Sequence, residues 1–470
     1  MSSYKKLLQN IGLFTLANVS TKLVTFLLIP LYTTFFTTSE YGISDLANVI
    51  LWITMPVLTL SISDAVLRFI IEDSDNKGLI KAYYNISLYI ILVSCIITFA
   101  ILPLFDLTMF GGLGNYRYYY LVAYIVLAFN TFHSNVARGL NQIKLMTISS
   151  IVTAFVNIVV SVLMIALLRC SLDGFFIAYI VSFFIGNIIY LIFGKHYKYV
   201  EFKIYKVSIL KRMLLYSLPL VPNTLFWWAS QSVNRFFITS MIGISASGLF
   251  AVASKIPSML NMVSGIFQQA WNISAFQELK KKNPTSFFSN VFSIYQFVIV
   301  SICAIMIPLS KYIASFLFQK EFYAAWILSP ILLLSFYYSA MSAFYGTIYT
   351  STLKTKVLFT TTVYGAILCI VLTWVLLRYM GLQGACFATM LSNVIVWIIR
   401  IIDSKKIFKL KNNIKLTVMT NIFLISSAIA MIAQHEFSIY ISIIFSFICI
   451  LLQFIYNMKY IQLIKKSITM

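Results

Sequence analysis

The chain has 470 residues, 60% of them hydrophobic and only 10% charged, with a mean hydropathy of +0.91. Soluble domains carry about a quarter charged residues, so a formal charge of +22, which would suggest nucleic acid in a soluble protein, excludes that partner here and reads as membrane-flanking charge. No loop is long enough to house soluble-type catalysis.

Apolar runs of about 20 residues cross a bilayer core as helices, with every backbone group paired internally. In chain order the sequence predicts fourteen spans: 9–36, 43–66, 82–105, 117–139, 145–169, 173–194, 213–241, 247–272, 287–318, 323–350, 356–379, 381–402, 414–433 and 437–457. The first carries Asn18 and Lys22 in mid-segment and no small-residue cleavage site, so it reads as a retained helix and not a signal peptide. All but eight of the 35 Lys and Arg fall in alternate loops and span ends on one side. The other side holds Arg117, Arg169, Lys311, Lys320 and Arg378, while Lys22, Arg235 and Lys255 lie within spans. That bias predicts both termini in the cytoplasm. Six cysteines without a CxxC and three scattered histidines give no disulfide framework and no metal-ligand spacing, so no metal or cofactor is expected.

The chain compares with itself. Tyr41-Gly42 aligns with Ser247-Gly248, and Leu172-Asp173-Gly174 aligns with Leu382-Gln383-Gly384 at nearly the same offset. The expected architecture is therefore an all-α polytopic membrane protein of two parallel six-helix repeats plus two C-terminal helices. Its parts are an N-lobe over 1–194, a basic cytoplasmic linker over 195–212, a C-lobe over 213–402, and a basic loop with two final spans over 403–470.

Polar residues at helical spacing mark faces kept from lipid. Span 8 carries Ser254, Ser258, Asn261, Gly265, Gln268 and Asn272. Span 2 carries Asp45, Asn48, Trp52, Pro56, Thr59 and Ser63; span 1 has Asn18 and Lys22; span 7 has Asn223, Trp227, Gln231, Asn234 and Arg235. Helix-to-helix glue would produce scattered Ser, Thr and Asn as well, but concentration in repeat-equivalent spans 1, 2, 7 and 8 favours a water-lined cavity. Lys22 lies near mid-span, with Arg235 and Lys255 roughly 9 Å and 12 Å from the outer ends at 1.5 Å per residue. The sequence offers no acid at that depth: Asp45 reads as near the outer end of span 2, and Asp64 as paired with Arg68 one turn on. Snorkelling is the plain alternative. Uncompensated cations predict an anionic cargo, with Arg the natural ligand for phosphate oxygens. Pro30, Pro56, Pro219, Pro222 and Pro257 predict kinks in the same helices.

The segments Tyr216-Ser-Leu-Pro219-Leu-Val-Pro222, Asn234-Arg235-Phe-Phe-Ile, Gly248-Leu-Phe-Ala-Val-Ala-Ser-Lys255-Ile-Pro257 and Gln269-Ala270-Trp271 resemble the central signature of polysaccharide repeat-unit flippases (Wzx type). These belong to the multidrug/oligosaccharidyl-lipid/polysaccharide (MOP) exporter superfamily, and the likeness covers essentially the whole chain. The resemblance implies a MATE-like, V-shaped two-lobe transporter, not an enzyme, in the bacterial inner membrane. It would move undecaprenyl-diphosphate-linked oligosaccharide for O-antigen or capsule synthesis, alongside the polymerase and chain-length regulator of the export pathway. Lys22, Arg235 and Lys255 would then receive the diphosphate and sugar. Asn234 stands where many relatives have Asp, which argues against an acid-based ion switch there. A lipid II flippase and a multidrug cation antiporter share the fold. A membrane polymerase or glycosyltransferase is the rival of another class, disfavoured by short outer loops without acidic pairs.

Overall fold

The computed structural model describes residues 11, 26–201, 206–278, 284–352, 354–407, 410 and 413–469, and among them the structure is helix and turn without a strand. Among the described residues nine helices are long and apolar enough to cross a membrane, and a bent pair makes a tenth. The chain is a multi-pass membrane protein. Length and apolarity return fewer than the fourteen expected spans. Helices such as 117–139 and 220–241 carry Asn, His, Gln and Arg that lower their hydropathy, and most of the first span lies outside the described residues. The residues form two compact units, Ser20–Gly248 and Leu249–Met470, the latter taking in Met1–Val19.

In the first unit, α1 (Phe26–Phe35) leads into α2 (Thr38–Leu58). A capping box fixes the start of α2: the Thr37 hydroxyl accepts from Glu40 N at 3.2 Å, and the Glu40 carboxylate accepts from Thr37 N at 2.8 Å. The helix thus begins five residues before the expected edge at 43. It ends at Leu60 and Ser61, both left-handed (φ 54° and 52°), with Ser61 N bonded back to Pro56 O at 2.9 Å. That closure is ordinarily built on glycine. The chain resumes as α3 (Ile62–Glu72), α4 (Lys77–Ile101) and α5 (Arg117–Gly139). It continues through α6 (Ile143–Ser161), extended by a π-helical turn over Val162–Leu167, into α7 (Ser171–Ile192). Tyr84, Tyr120, Tyr124, Phe132 and Phe176 fill the core between them. Arg68 pairs with Glu72 at 3.6 Å, not with Asp64 as the spacing suggests, because both i+4 options exist and Glu72 takes it.

The basic segment after α7 is docked on this unit. His196 Nδ1 meets His133 Nδ1 at 3.1 Å and its Nε2 meets Gln142 Oε1 at 3.2 Å. Asn85 bonds Tyr199 O at 2.7 Å and accepts from Glu201 N at 2.8 Å, and Lys81 pairs with Glu201. Next come α8 (Val207–Ser217) and α9 (Leu220–Met241), separated at Pro219. Arg212 ties α8 to the end of α3: it bonds Glu72 at 2.8 Å and Asp73 at 3.2 Å, and lies 4.5 Å from the centre of the Phe69 ring.

The second unit starts within α10 (Ile244–Ala253), which bends by 45° into α11 (Lys255–Glu278). Pro257 has no N–H to give the Ala253 carbonyl, and that carbonyl accepts instead from Ser329 Oγ at 3.3 Å. Then follow α12 (Pro284–Leu317), a 3-10 segment over Lys320–Leu328, α13 (Ser329–Ser351) and α14 (Thr355–Ser404), which turns at Gly381 (φ 56°). The helices α15 (Ile414–Ala433) and α16 (Ser438–Thr469) close the chain, joined by Ser427–Ser442 and Thr420–Gln453 hydrogen bonds of 2.7 and 2.8 Å. The two LxG glycines serve one purpose. A Cβ on Gly384 would strike Leu376 O, and one on Gly174 would reach Ile165 at 3.0 Å, so each sits against the last turns of the preceding helix.

Candidate functional site

In the first unit α2 and α9 bring Asp45 and Arg235 together. Arg235 Nε donates to Asp45 Oδ2 at 2.6 Å, and the two side chains are only 15% and 11% exposed. This corrects the expectation of uncompensated cations: Arg235 has a carboxylate partner, and Lys255 is not without a partner either. The acid is missed from sequence because its depth is counted from an edge at 43. From the capped start at Thr38, Asp45 is roughly 10 Å along its helix, and Arg235 is roughly 9 Å from Met241. Matching depths measured from true helix ends are the signal that finds such a pair.

Above this pair α2 meets the start of α10. A Cβ on Gly42 would drive into Ile244 O, and one on Gly248 into Thr38 O. Thr38 Oγ1 and Ser245 Oγ share a 2.5 Å hydrogen bond. The two glycines that the internal comparison superposes therefore touch in space. Below the pair, Asn48 donates Nδ2 to Ser44 O at 3.1 Å, and Trp52 is 55% exposed. Asn234, beside Arg235, is buried. Asn18 and Lys22 lie outside the described residues, as do the side chains of Asn223, Trp227 and Gln231, although the backbone of those three is helical in α9.

In the second unit, Lys255 opens α11 at the bend, half-buried, where the positive end of the helix dipole adds to its charge. Ser258 Oγ caps back to Lys255 O at 2.6 Å. Asn261 is exposed, and a Cβ on Gly265 would meet open space. Further along, the polar residues turn inward. Thr347 Oγ1 on α13 lies 3.1 Å from Gln268 Oε1 and 2.8 Å from Asn272 Oδ1, and one hydroxyl proton serves two amide oxygens. Ser264 meets Tyr295 at 2.7 Å. Sequence reasoning overlooks Thr347, since a lone threonine in an apolar helix carries no pattern.

One cluster pairs a guanidinium with a carboxylate in the first unit and the other sets an ammonium at a helix start in the second, groups whose chemistry suits an anion. Residues 7–272 match the family model for polysaccharide biosynthesis protein. No curated protein matches the sequence. Among solved structures, the chain resembles the lipid II flippase MurJ in an inward closed conformation, with TM-score 0.71 and 15% identity over 96% of this chain and 99% of that one. It also resembles an inward-facing multidrug resistance MATE family transporter of the MOP superfamily, with TM-score 0.62 and 17% identity over 86% and 94%. A MOP superfamily transporter from Pyrococcus furiosus gives TM-score 0.59 and 16% identity over 88% and 98%. These likenesses show the fold. The family match takes in more than half of the chain, and the protein therefore belongs to the polysaccharide biosynthesis protein family.

Proposed function

We propose that this protein is a flippase that carries undecaprenyl-diphosphate-linked oligosaccharide repeat units across the bacterial cytoplasmic membrane, for O-antigen or capsular polysaccharide synthesis, by alternating access. The observation that carries the reading is the Arg235–Asp45 pair. A largely buried guanidinium is costly unless balanced. A single carboxylate balances it at rest, and a diphosphate, with more charge and two oxygens in the geometry of the guanidinium fork, displaces that carboxylate. Lys255 and Lys22 would supply further positive charge to the same cargo. The lysine-rich loops support an inner-membrane orientation with both termini in the cytoplasm, where the lipid-linked substrate would enter. The polymerase and chain-length regulator of the pathway would act on what leaves.

The test is surface glycan measured per molecule of immunoblotted transporter. Arg235→Ala and Lys255→Ala abolish export with protein still in the membrane, Lys22→Ala impairs it, and Arg235→Lys rescues in part. Each loss removes charge-assisted bonds of roughly 1.5–3 kcal/mol, or about 10- to 150-fold in binding. Asp45→Asn removes the internal competitor and tightens binding of undecaprenyl diphosphate. Normal glycan per transporter in all three alanine variants would end this reading. A lipid II flippase shares the fold, and rescue of lipid II export but not of surface glycan in the corresponding depleted strains would move the substrate there.

A further inference from the structure

Among the tryptophans with described side chains, all but one have an evident structural place. Trp271 is buried on Phe344 at 4.9 Å and Trp397 is buried against Tyr338 at 5.5 Å. Trp326 is buried beside Lys311, 5.6 Å from its ammonium. Trp374 holds the Arg378 guanidinium at 4.0 Å within two turns of the Gly381 chain reversal, a depth suited to an amphipathic ring.

Trp52 differs. It is 55% exposed and lies roughly 21 Å along α2 from Thr38, within the span of a core about 30 Å thick. Its neighbours on the helix face, at spacings of 3 and 4, are Asp45 and Asn48. The opposite side of α2 is buried through Ala47, Ile50 and Leu51. A face carrying an ion-paired aspartate and an asparagine is not one for hydrocarbon, and the indole shares that helix face with the Asp45–Arg235 pair.

We infer that Trp52 is a sugar-stacking, specificity-determining residue, resting on the reading of Arg235 as the diphosphate site. A pyranose presents an apolar C–H face that lies flat on an indole, and a rim of hydroxyls that hydrogen-bond at its edge. Asn48 supplies that edge: its Nδ2 is committed to Ser44 O, which leaves Oδ1 to accept. Trp52 is seven residues from Asp45, about 10 Å along the helix, so a diphosphate held at Arg235 delivers its attached sugars to the ring. Stacking is tolerant of hydroxyl configuration and intolerant of a missing ring, so Trp52 selects for a glycosylated lipid over a bare one.

The experiment compares two probes on purified protein in lipid nanodiscs: undecaprenyl diphosphate, and the lipid-linked oligosaccharide extracted from the producing cells. Trp52→Ala weakens the oligosaccharide lipid ~10-fold and leaves undecaprenyl diphosphate unchanged, and Trp52→Phe keeps most of the affinity. Arg235→Ala weakens both. Equal weakening of both probes by Trp52→Ala, weakening of neither, or no preference of the wild type for the glycosylated lipid overturns the inference. Failure of Arg235→Ala to weaken undecaprenyl diphosphate would sink the diphosphate site, while the Trp52 result still stands or falls on the difference between the probes.

Discussion

Arg400 and Arg235 place the same guanidinium in low dielectric by opposite means. Arg400, 7% exposed, is held by neutral oxygens: Nε to Thr361 at 3.0 Å, Nη1 to Ser342 Oγ and O at 3.0 and 3.1 Å, and Nη2 to Thr362 at 3.1 Å. Its ligands come from both arms flanking it, α13 and the first arm of α14, so it pins three helical segments of the second unit. Nothing in that ring can be exchanged for a substrate, whereas the carboxylate on Arg235 can. Arg400→Ala should therefore destabilise by about 3 kcal/mol, through several orphaned polar groups, without lowering transport per folded molecule. Arg400→Lys should recover less than half, since one ammonium cannot span the ring. Thermal melting in detergent, paired with surface glycan per transporter, checks both. At this scale the sequence marks Arg235, Lys255 and Trp52 by depth and spacing. It does not reveal Asp45 as partner, because the pairing joins helices 190 residues apart and the depth of each is set by caps and breaks that apolar runs do not show.

The helices themselves follow from apolar length and from proline, and the breaks at Pro219 and before Pro257 fall where the missing N–H predicts them. The break after Leu58 does not: neither leucine nor serine favours the left-handed region, and the packing of α3 against α4, α5 and α8 accompanies it. The docking of the 195–201 segment is also invisible in a sequence that reads as a solvated basic linker, since it depends on His196 meeting His133. Burial pushes the His196 imidazole down to about 4, against about 6.5 when undocked. The undocked form therefore binds more protons, and docking is fully present above about pH 6.5 and weakens as pH falls toward 4. The loss is roughly 3 kcal/mol across that window. The protection factors of residues 195–201, which are exchange rates corrected for the intrinsic base-catalysed fall with pH, should drop between pH 7 and pH 5, and His196→Gln should flatten the dependence. Protection factors that stay level with pH in the wild type would show that the imidazole is not desolvated.

For the whole molecule, membrane class is legible from composition, charge bias from where Lys and Arg fall along the chain, and the family from a few short motifs. Arrangement within each unit depends on contacts such as Gly42 against Gly248, where two small residues matter because of what each touches. Orientation is open to a direct check. Cys170 is half-buried just before α7, and Cys303, Cys369, Cys386 and Cys449 are buried, so few other thiols compete for a membrane-impermeant reagent. Cys170 should label from outside intact cells, whereas Lys203→Cys should label only after permeabilisation; outside labelling at 203 would reverse the topology. The Asp45–Arg235 pair also sets a condition on biosynthesis. With 190 residues between them, and synthesis at 5–20 residues per second, the carboxylate is made roughly 10–40 s before the guanidinium that neutralises it. During that interval the nascent α2 carries an acid without its partner, at a cost of roughly 2.5–3.5 kcal/mol at a helix centre, so the seat of α2 in the bilayer is completed only when α9 arrives.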